Sequence, residues 1–412
     1  MLDRIRPRFT RYEPLRHAAA LMLGLLSDLD RKNCWTIAER SGHASPDALQ
    51  HLLARAVWDA DQVRDDVRDY VGEHLGDTDA VLVVDETGDL KKGRNTVGVQ
   101  RQYTGTAGRV ENAQVAVYLA YAAPAGHALI DRALYLPKAW IDDPSRRDRA
   151  GVPADTEFAT KPALAAGMID AALDAGITSS WVAGDEVYGA DPTLRDRLET
   201  RGIGYLLGIG CNRQVTTAEG RFRIDELAAA LPTESWQRHS AGTGAKGPRW
   251  YSWALIPLTE PGEGHRGALV RRNDATGELA YYRTYSRDRV PLAGLVRVAG
   301  QRWKIEESFQ TGKGLTGLDQ HQVRRWTSWH RWVTLAMLAH AFLAVTAAAE
   351  RAITPAPAGL IALTVNEFRR LLNALLLPPL HATTTTIWAW SHWRRQHQAR
   401  ARTSHYKRRQ TP

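Results

Sequence analysis

Cysteine is close to absent from this 412-residue sequence: Cys34 and Cys211 are the two it has, and they stand far apart. That excludes a disulfide framework and any CxxC metal or redox motif, and it makes a reducing cytosol the expected compartment. Long apolar runs are missing too. Ala18–Leu26 has no small-residue cleavage site behind it and runs into the charged Asp28-Leu-Asp-Arg-Lys32, unlike a signal segment. Val333–Ala349 is 17 residues long and broken by Thr334, His340 and Thr346, whereas a bilayer span needs about 20 apolar residues. Both read as buried helices, and no membrane partner is expected. No internal repeat is visible, no HExxH and no GxSxG occur, and Gly242-Thr-Gly-Ala-Lys-Gly247 fails the phosphate-loop spacing. His381, His392, His397 and His405 lack the spacing of zinc ligands.

Acids are scarce in the last quarter. From Gln320 to Pro412 there are two, Glu350 and Glu367, against 13 Lys and Arg, so this stretch carries +11 of a chain total of +9. Clustered cations gain affinity for polyanions by releasing counterions, which points to nucleic acid ahead of an anionic membrane surface. Arg324-Arg325-Trp326 and Trp329-His-Arg-Trp332 interleave cations with aromatics, a pattern suited to phosphate and base contacts. The tail from Ser391 onward holds seven cations and no acid; Arg394, Arg395, Lys407, Arg408 and Arg409 are its candidate DNA contacts.

What is present in ordinary amounts, 44% apolar and 24% charged residues, describes a globular protein of two or three domains. Residues 1–75 read as a helical DNA-binding domain, with a helix–turn–helix rhythm in which Gly42 turns, Ser45 caps and Pro46 opens the next helix, a plain helical hairpin being the other reading. Ala80–Val84 is a continuous apolar run ending in Asp85, as for a strand buried on both faces. Gln114–Tyr121 and Ala128–Leu136 alternate as strands, and Pro137–Pro162 reads as a long loop. A helix (Ala163–Ala175), a strand (Ser180–Ala183) leading to Asp185, a helix after Asp191-Pro192 and a strand (Gly204–Ile209) follow. A β-rich insertion at 215–290 precedes a helical stretch at 291–350 and a basic helical region at 351–412. The order predicts an α/β protein with a mixed sheet flanked by helices.

Three acids sit where chemistry could use them. Asp85 and Asp185 each end a predicted strand, and strand ends on one sheet edge can bring two carboxylates together. Two adjacent carboxylates repel unless a cation lies between them, and a hard ion such as Mg²⁺ suits an all-oxygen set. The third is in Arg302-Trp-Lys-Ile-Glu306-Glu307-Ser-Phe-Gln-Thr-Gly-Lys313. At about 100° per residue, Glu306 lies about 40° and Lys313 about 20° from Arg302 on a helix, while Glu307 falls about 140° away. Glu306 is therefore the candidate, with Arg302 and Lys313 placed for flanking phosphates. An i,i+4 ion pair on a solvated face is the plainer reading of that segment. Tyr188, three residues after Asp185, is a candidate for stacking on a base.

These residues carry a resemblance. Val83-Val-Asp85-Glu-Thr-Gly88, Trp181-Val-Ala-Gly-Asp185-Glu-Val-Tyr-Gly189 and Arg302-Trp-Lys-Ile-Glu306 with Lys313 resemble bacterial insertion-sequence transposases of the DDE superfamily, in the branch with a Tyr-Arg-Glu-Lys signature. The signature's Tyr falls at Ala299 here. The resemblance covers roughly residues 75–345 and implies an RNase H-like core, split by the β insertion into parts at 76–214 and 291–350. It implies that Asp85, Asp185 and Glu306 hold two Mg²⁺ or Mn²⁺ ions about 3.5–4 Å apart. It further implies cleavage at terminal inverted repeats, strand transfer into target DNA, action as a homodimer on DNA, and a nucleoid-associated place in a bacterial cytoplasm.

Two other readings compete. One is a catalytically silent DNA-binding protein derived from such an enzyme, which would have no need of three clustered acids. The other is a two-carboxylate hydrolase acting on a neutral substrate such as a sugar, which the cationic surroundings of Glu306 disfavour.

Overall fold

The computed structural model describes residues 1–244, 247–377 and 383–410, apart from the side chains of His405 and 408–410. His381 and the side chains of His405, Arg408 and Arg409 lie outside the described residues. In chain order, helices α1 (Leu2–Ile5), α2 (Tyr12–Leu26), α3 (Cys34–Arg40), α4 (Asp47–Ala54) and α5 (Ala60–Leu75) come first. Strands β1 (Val81–Leu90), β2 (Gln100–Thr104), β3 (Arg109–Ala123) and β4 (Gly126–Leu134) follow, then α6 (Lys138–Ile141), α7 (Pro144–Ala150) and α8 (Lys161–Asp174). Next are β5 (Trp181–Gly184), α9 (Glu186–Gly189), α10 (Pro192–Thr200), β6 (Gly204–Ile209), β7 (Gln214–Thr217), β8 (Gly220–Arg223) and α11 (Ile224–Ala229). Strands β9 (Gln237–Gly244), β10 (Gly247–Pro257), β11 (His265–Arg272) and β12 (Leu279–Ser286) lead to α12 (Leu292–Gln301), α13 (Trp303–Thr316), α14 (Trp326–Ile353), α15 (Val365–Leu375) and α16 (Thr384–Gln410).

The chain forms two compact units: Met1–Asp66 with Thr311–Pro412, and Val67–Gln310. The second unit is a large mixed sheet flanked by helices, in the order β2-β3-β1-β5-β6-β12-β11-β10-β9, with β4 paired to β3. β1 runs antiparallel to β3 and parallel to β5, and β5 runs parallel to β6. The apolar run Ala80–Val84 is fully buried, as a strand covered on both faces requires.

Three expectations need correction. β1 does not end at Asp85: its pairing with β3 continues to Leu90↔Ala113, while its pairing with β5 stops at Val83↔Ala183. Of the strands expected as an insertion, β9 to β12 extend the same sheet, because β12 pairs antiparallel with β6, while β7 and β8 form a separate two-stranded sheet. The expected loop Pro137–Pro162 contains α6 and α7; Trp140 is buried there and donates its indole N–H to the Val99 carbonyl.

In the first unit, a capping box at Asn33 and Thr36 starts α3, and Gly42 turns at φ 73°, a left-handed conformation that glycine adopts without a Cβ clash. Pro46 stands one residue ahead of α4 instead of opening it. α14 is apolar enough to cross a membrane by length and composition, but 83% of its most apolar stretch is buried and it packs on α2, α4 and α15. Trp329 and Trp332, expected near DNA, are buried core residues, and Arg331 is buried with its guanidinium on the carbonyls of Leu52 and Trp58.

Candidate active site

The site lies in the second unit, where the parallel and antiparallel halves of the sheet meet. Val83 pairs with Ala183 as the last parallel step of β1 and β5. Two residues further on each chain stand Asp85 and Asp185, so the register carries both carboxylates to one edge. Asp85 stays in β1 and is 8% exposed. Its Oδ1 accepts the Glu86 backbone N–H at 2.7 Å. Asp185 leaves β5 and caps α9, accepting the Val187 N–H at 2.9 Å.

Glycine makes this packing possible at two places. A Cβ on Gly189 would lie 1.8 Å from the Gly208 carbonyl oxygen, so α9 sits directly on the β6 backbone. A Cβ on Gly300 would lie 2.3 Å from the Ala241 carbonyl oxygen, so α12 likewise sits against the β9 backbone. Gly300 weakens its helix; close approach to the strand is its physical reason.

Arg302 caps the C-terminal end of α12, and its Nη1 is 3.7 Å from Asp85 Oδ2. Glu306 is in the first turn of α13 and adds to the field on Asp85. Burial above all, then Asp185, push the Asp85 carboxyl up to about 8, with Glu306 and Glu86 adding to the rise and Arg302 opposing it. Asp185 is raised as well, by burial and by Glu86, against the pull of the Val187 N–H and Arg302. This is a pocket of surplus negative charge that one arginine only partly offsets.

Glu307 turns away, as the helical angles expect. Its carboxylate meets Lys304 Nζ at 2.9 Å and His127 Nε2 at 3.2 Å, and the His127 hydrogen bond, helped by Lys304, holds it down to about 2 against desolvation. Among the described residues, no three His, Cys, Asp or Glu side chains stand close enough to hold an ion between them. The carboxylates thus share a field without forming a closed cage. Their chemistry fits a hard divalent cation all the same: oxygen donors only, crowded, and short of positive charge.

Beside Asp185 opens a groove of about 490 Å³, lined by Arg302, Ala299, Arg249, Arg271, Tyr251, Trp253 and Tyr282. Ala299, at the position of the signature tyrosine, therefore faces this groove.

Other predicted residues fall differently. Tyr188 is a correction: it is fully buried, and its hydroxyl donates to Glu86 Oε2 at 2.8 Å, so no ring face is open to a base. Lys313 lies further along α13, in the part that belongs to the first unit. Arg324 and Arg325 are exposed just ahead of α14, and Arg395 and Lys407 are exposed on α16. Arg394 is engaged: Nη1 meets Glu39 Oε2 at 2.8 Å, beside Trp393, which stacks on His397 and meets Trp35 edge-on. Glu86 and Lys161 were not anticipated. Directly after an acid of interest, Glu86 reads as an ordinary strand residue, and no sequence spacing links it to Lys161.

The family model for DDE superfamily endonucleases matches residues 4–225, more than half of the chain. The chain belongs to the DDE superfamily of endonucleases. A second model, the transposase DDE domain, matches residues 151–342. A probable transposase for insertion sequence element IS701 from Microchaete diplosiphon is 30% identical over 198 residues, which is 47% of this chain and 49% of that protein. The chain thus spans about half the length of the curated relative it matches. A piggyBac transposase in a synaptic complex with hairpin DNA resembles this chain over 88% of its length and 70% of its own, at 12% identity and a TM-score of 0.43.

Proposed function

We propose that this DDE-family chain is a DNA transposase that cuts transposon ends and joins them to target DNA, with Asp85, Asp185 and Glu306 as its catalytic acids. The observation that carries this reading is the meeting of Asp85 and Asp185 beyond one parallel strand pair, with Glu306 and Arg302 brought to them by α12 and α13. We read the core as RNase H-like: antiparallel β4-β3-β1 followed by parallel β5 and β6. Asp85, Asp185 and Glu306 would hold Mg²⁺ or Mn²⁺, two ions per site. Bound there, the ions would supply Lewis-acid stabilisation of the oxygens around a phosphodiester and a nucleophile available at neutral pH.

The chain's own residues do the rest. Arg302, aimed at Asp85 in the free protein, is placed to turn to a backbone phosphate when DNA enters. Lys313, Arg324, Arg325, Arg395 and Lys407 are read as phosphate contacts that set position without reading sequence. Terminal inverted repeats, a target duplex and a second copy of the chain are the partners this activity calls for.

The test is incubation of the chain with a DNA fragment bearing the element's own ends, in Mg²⁺ or in EDTA, followed by mapping of the nicks. Nicks at the repeat termini with Mg²⁺ alone support the reading. Binding to the repeats with no nick in either buffer supports a silent binder instead.

A further inference from the structure

We propose that Glu86 is a positioning residue that sets the spacing of the two site aspartates; this rests on the metal-holding role assigned to Asp85 and Asp185 above. In a strand, neighbouring side chains point to opposite faces. Asp85 turns toward Arg302 at the end of α12, and Glu86 therefore turns to the other face, toward α8 and α9. It is held there at both oxygens. Oε1 meets Lys161 Nζ, at the start of α8, at 2.5 Å, and Oε2 accepts the Tyr188 hydroxyl at 2.8 Å.

Followed around, these contacts close a circuit between the two acids. Asp185 binds the N–H of Val187, the next residue in α9 is Tyr188, Tyr188 binds Glu86, and the Glu86 N–H binds Asp85 Oδ1. Each link is short, Tyr188 is fully buried, and Gly189 seats the same turn on the β6 backbone. β1 and β5 pair through only three residues, ending two steps short of the acids. Beyond that point no strand pairing holds Asp185 to Asp85. Glu86, through Tyr188, supplies the tie that the sheet lacks, and Lys161 keeps the Glu86 carboxylate turned to that face. Groups that orient metal ligands without touching the metal commonly contribute about 10–100-fold to metal affinity.

The experiment measures Mn²⁺ binding to the full chain by titration calorimetry, and unfolding midpoint in urea, for the wild type, Glu86→Gln, Tyr188→Phe, Lys161→Met and Lys161→Arg. The expected result is Mn²⁺ affinity about 10-fold weaker in the first three variants, well out of proportion to any change in midpoint, and near-complete recovery in Lys161→Arg. Lower midpoints with unchanged Mn²⁺ affinity would make the circuit a stability tie and overturn the proposal. Should Tyr188→Phe not fold, Glu86→Gln and the Lys161 pair carry the test. A wild type that takes up no Mn²⁺, or an Asp85→Asn variant that binds as the wild type does, would overturn the metal reading itself, and with it this one.

Discussion

Replacing Gly189 by alanine should uncouple folding from cutting. Its backbone is in no strained region, so the helix tolerates Ala, and propensity alone would favour the change by up to about 1 kcal/mol. Space is what forbids it: the new methyl would lie 1.8 Å from the Gly208 carbonyl oxygen and 2.9 Å from its carbon. Relieving that clash needs a shift of roughly 1 Å or more between α9 and β6, and overpacking of this kind costs about 1–3 kcal/mol. Net destabilisation should therefore be about 1–2 kcal/mol, read from urea unfolding, and the protein should stay folded. The larger effect is on chemistry. Asp185 caps the turn that must move, and a misplacement of about 1 Å can cost on the order of 100-fold in rate. Single-turnover cleavage of saturating end DNA should fall by about that factor. A Gly189→Ala protein with wild-type stability and wild-type cleavage would refute the seating of α9 on β6.

Lys32→Met should stabilise the protein near neutral pH. Lys32 is 1% exposed, donates to the Ser27 carbonyl, and is pushed down by burial to about 8. Holding it charged therefore costs about 3 kcal/mol at pH 7; after removal of a hydrogen bond worth about 1 kcal/mol, the variant should gain about 2 kcal/mol. Because the folded state binds this proton less tightly than the unfolded state, the wild type gains stability between about pH 8 and 10.5, and the advantage should shrink across that window. Urea melts at pH 7 and pH 10 with equal differences would contradict this. Glu307→Gln should lower stability by about 1 kcal/mol, because its ion pair with Lys304 disappears and its hydrogen bond with His127 weakens, while cutting far better than Glu306→Gln; equal falls in cutting would undo the assignment of helix faces. Changing Arg395, Arg400, Arg402 and Lys407 together to Gln should flatten the salt dependence of DNA binding, by up to about 0.9 log units for each phosphate no longer neutralised. An unchanged slope would remove α16 from the DNA surface. Substitution is the better probe than deleting the tail, since deletion would also strip Arg394 from Glu39 and Trp393 from Trp35.

Local chemistry was legible in the sequence where local forces decide structure. An unbroken apolar run marks β1, Gly42 marks the turn after α3, and the 3.6-residue period separates Glu306 from Glu307. Asp85 and Asp185 stood out because each follows such a run. What hydrogen bonding between distant segments decides was not legible. β1 runs past Asp85 because β3 continues to pair with it, and β12 joins the core because it finds the free edge of β6. Tyr188 carries no mark of burial in its neighbours; a partner 102 residues away takes its hydroxyl. Short helices α6 and α7 were hidden by prolines that read as loop but open a helical turn.

The central claim is that Asp85, Asp185 and Glu306 act together in one divalent-ion-dependent site. Mg²⁺-dependent nicking of end-bearing DNA by Asp85→Asn, Asp185→Asn and Glu306→Gln, each first shown to be folded and to bind that DNA, tests it most directly. Loss of nicking in all three, with DNA binding retained, is the predicted result. Wild-type nicking by any one of them would contradict it.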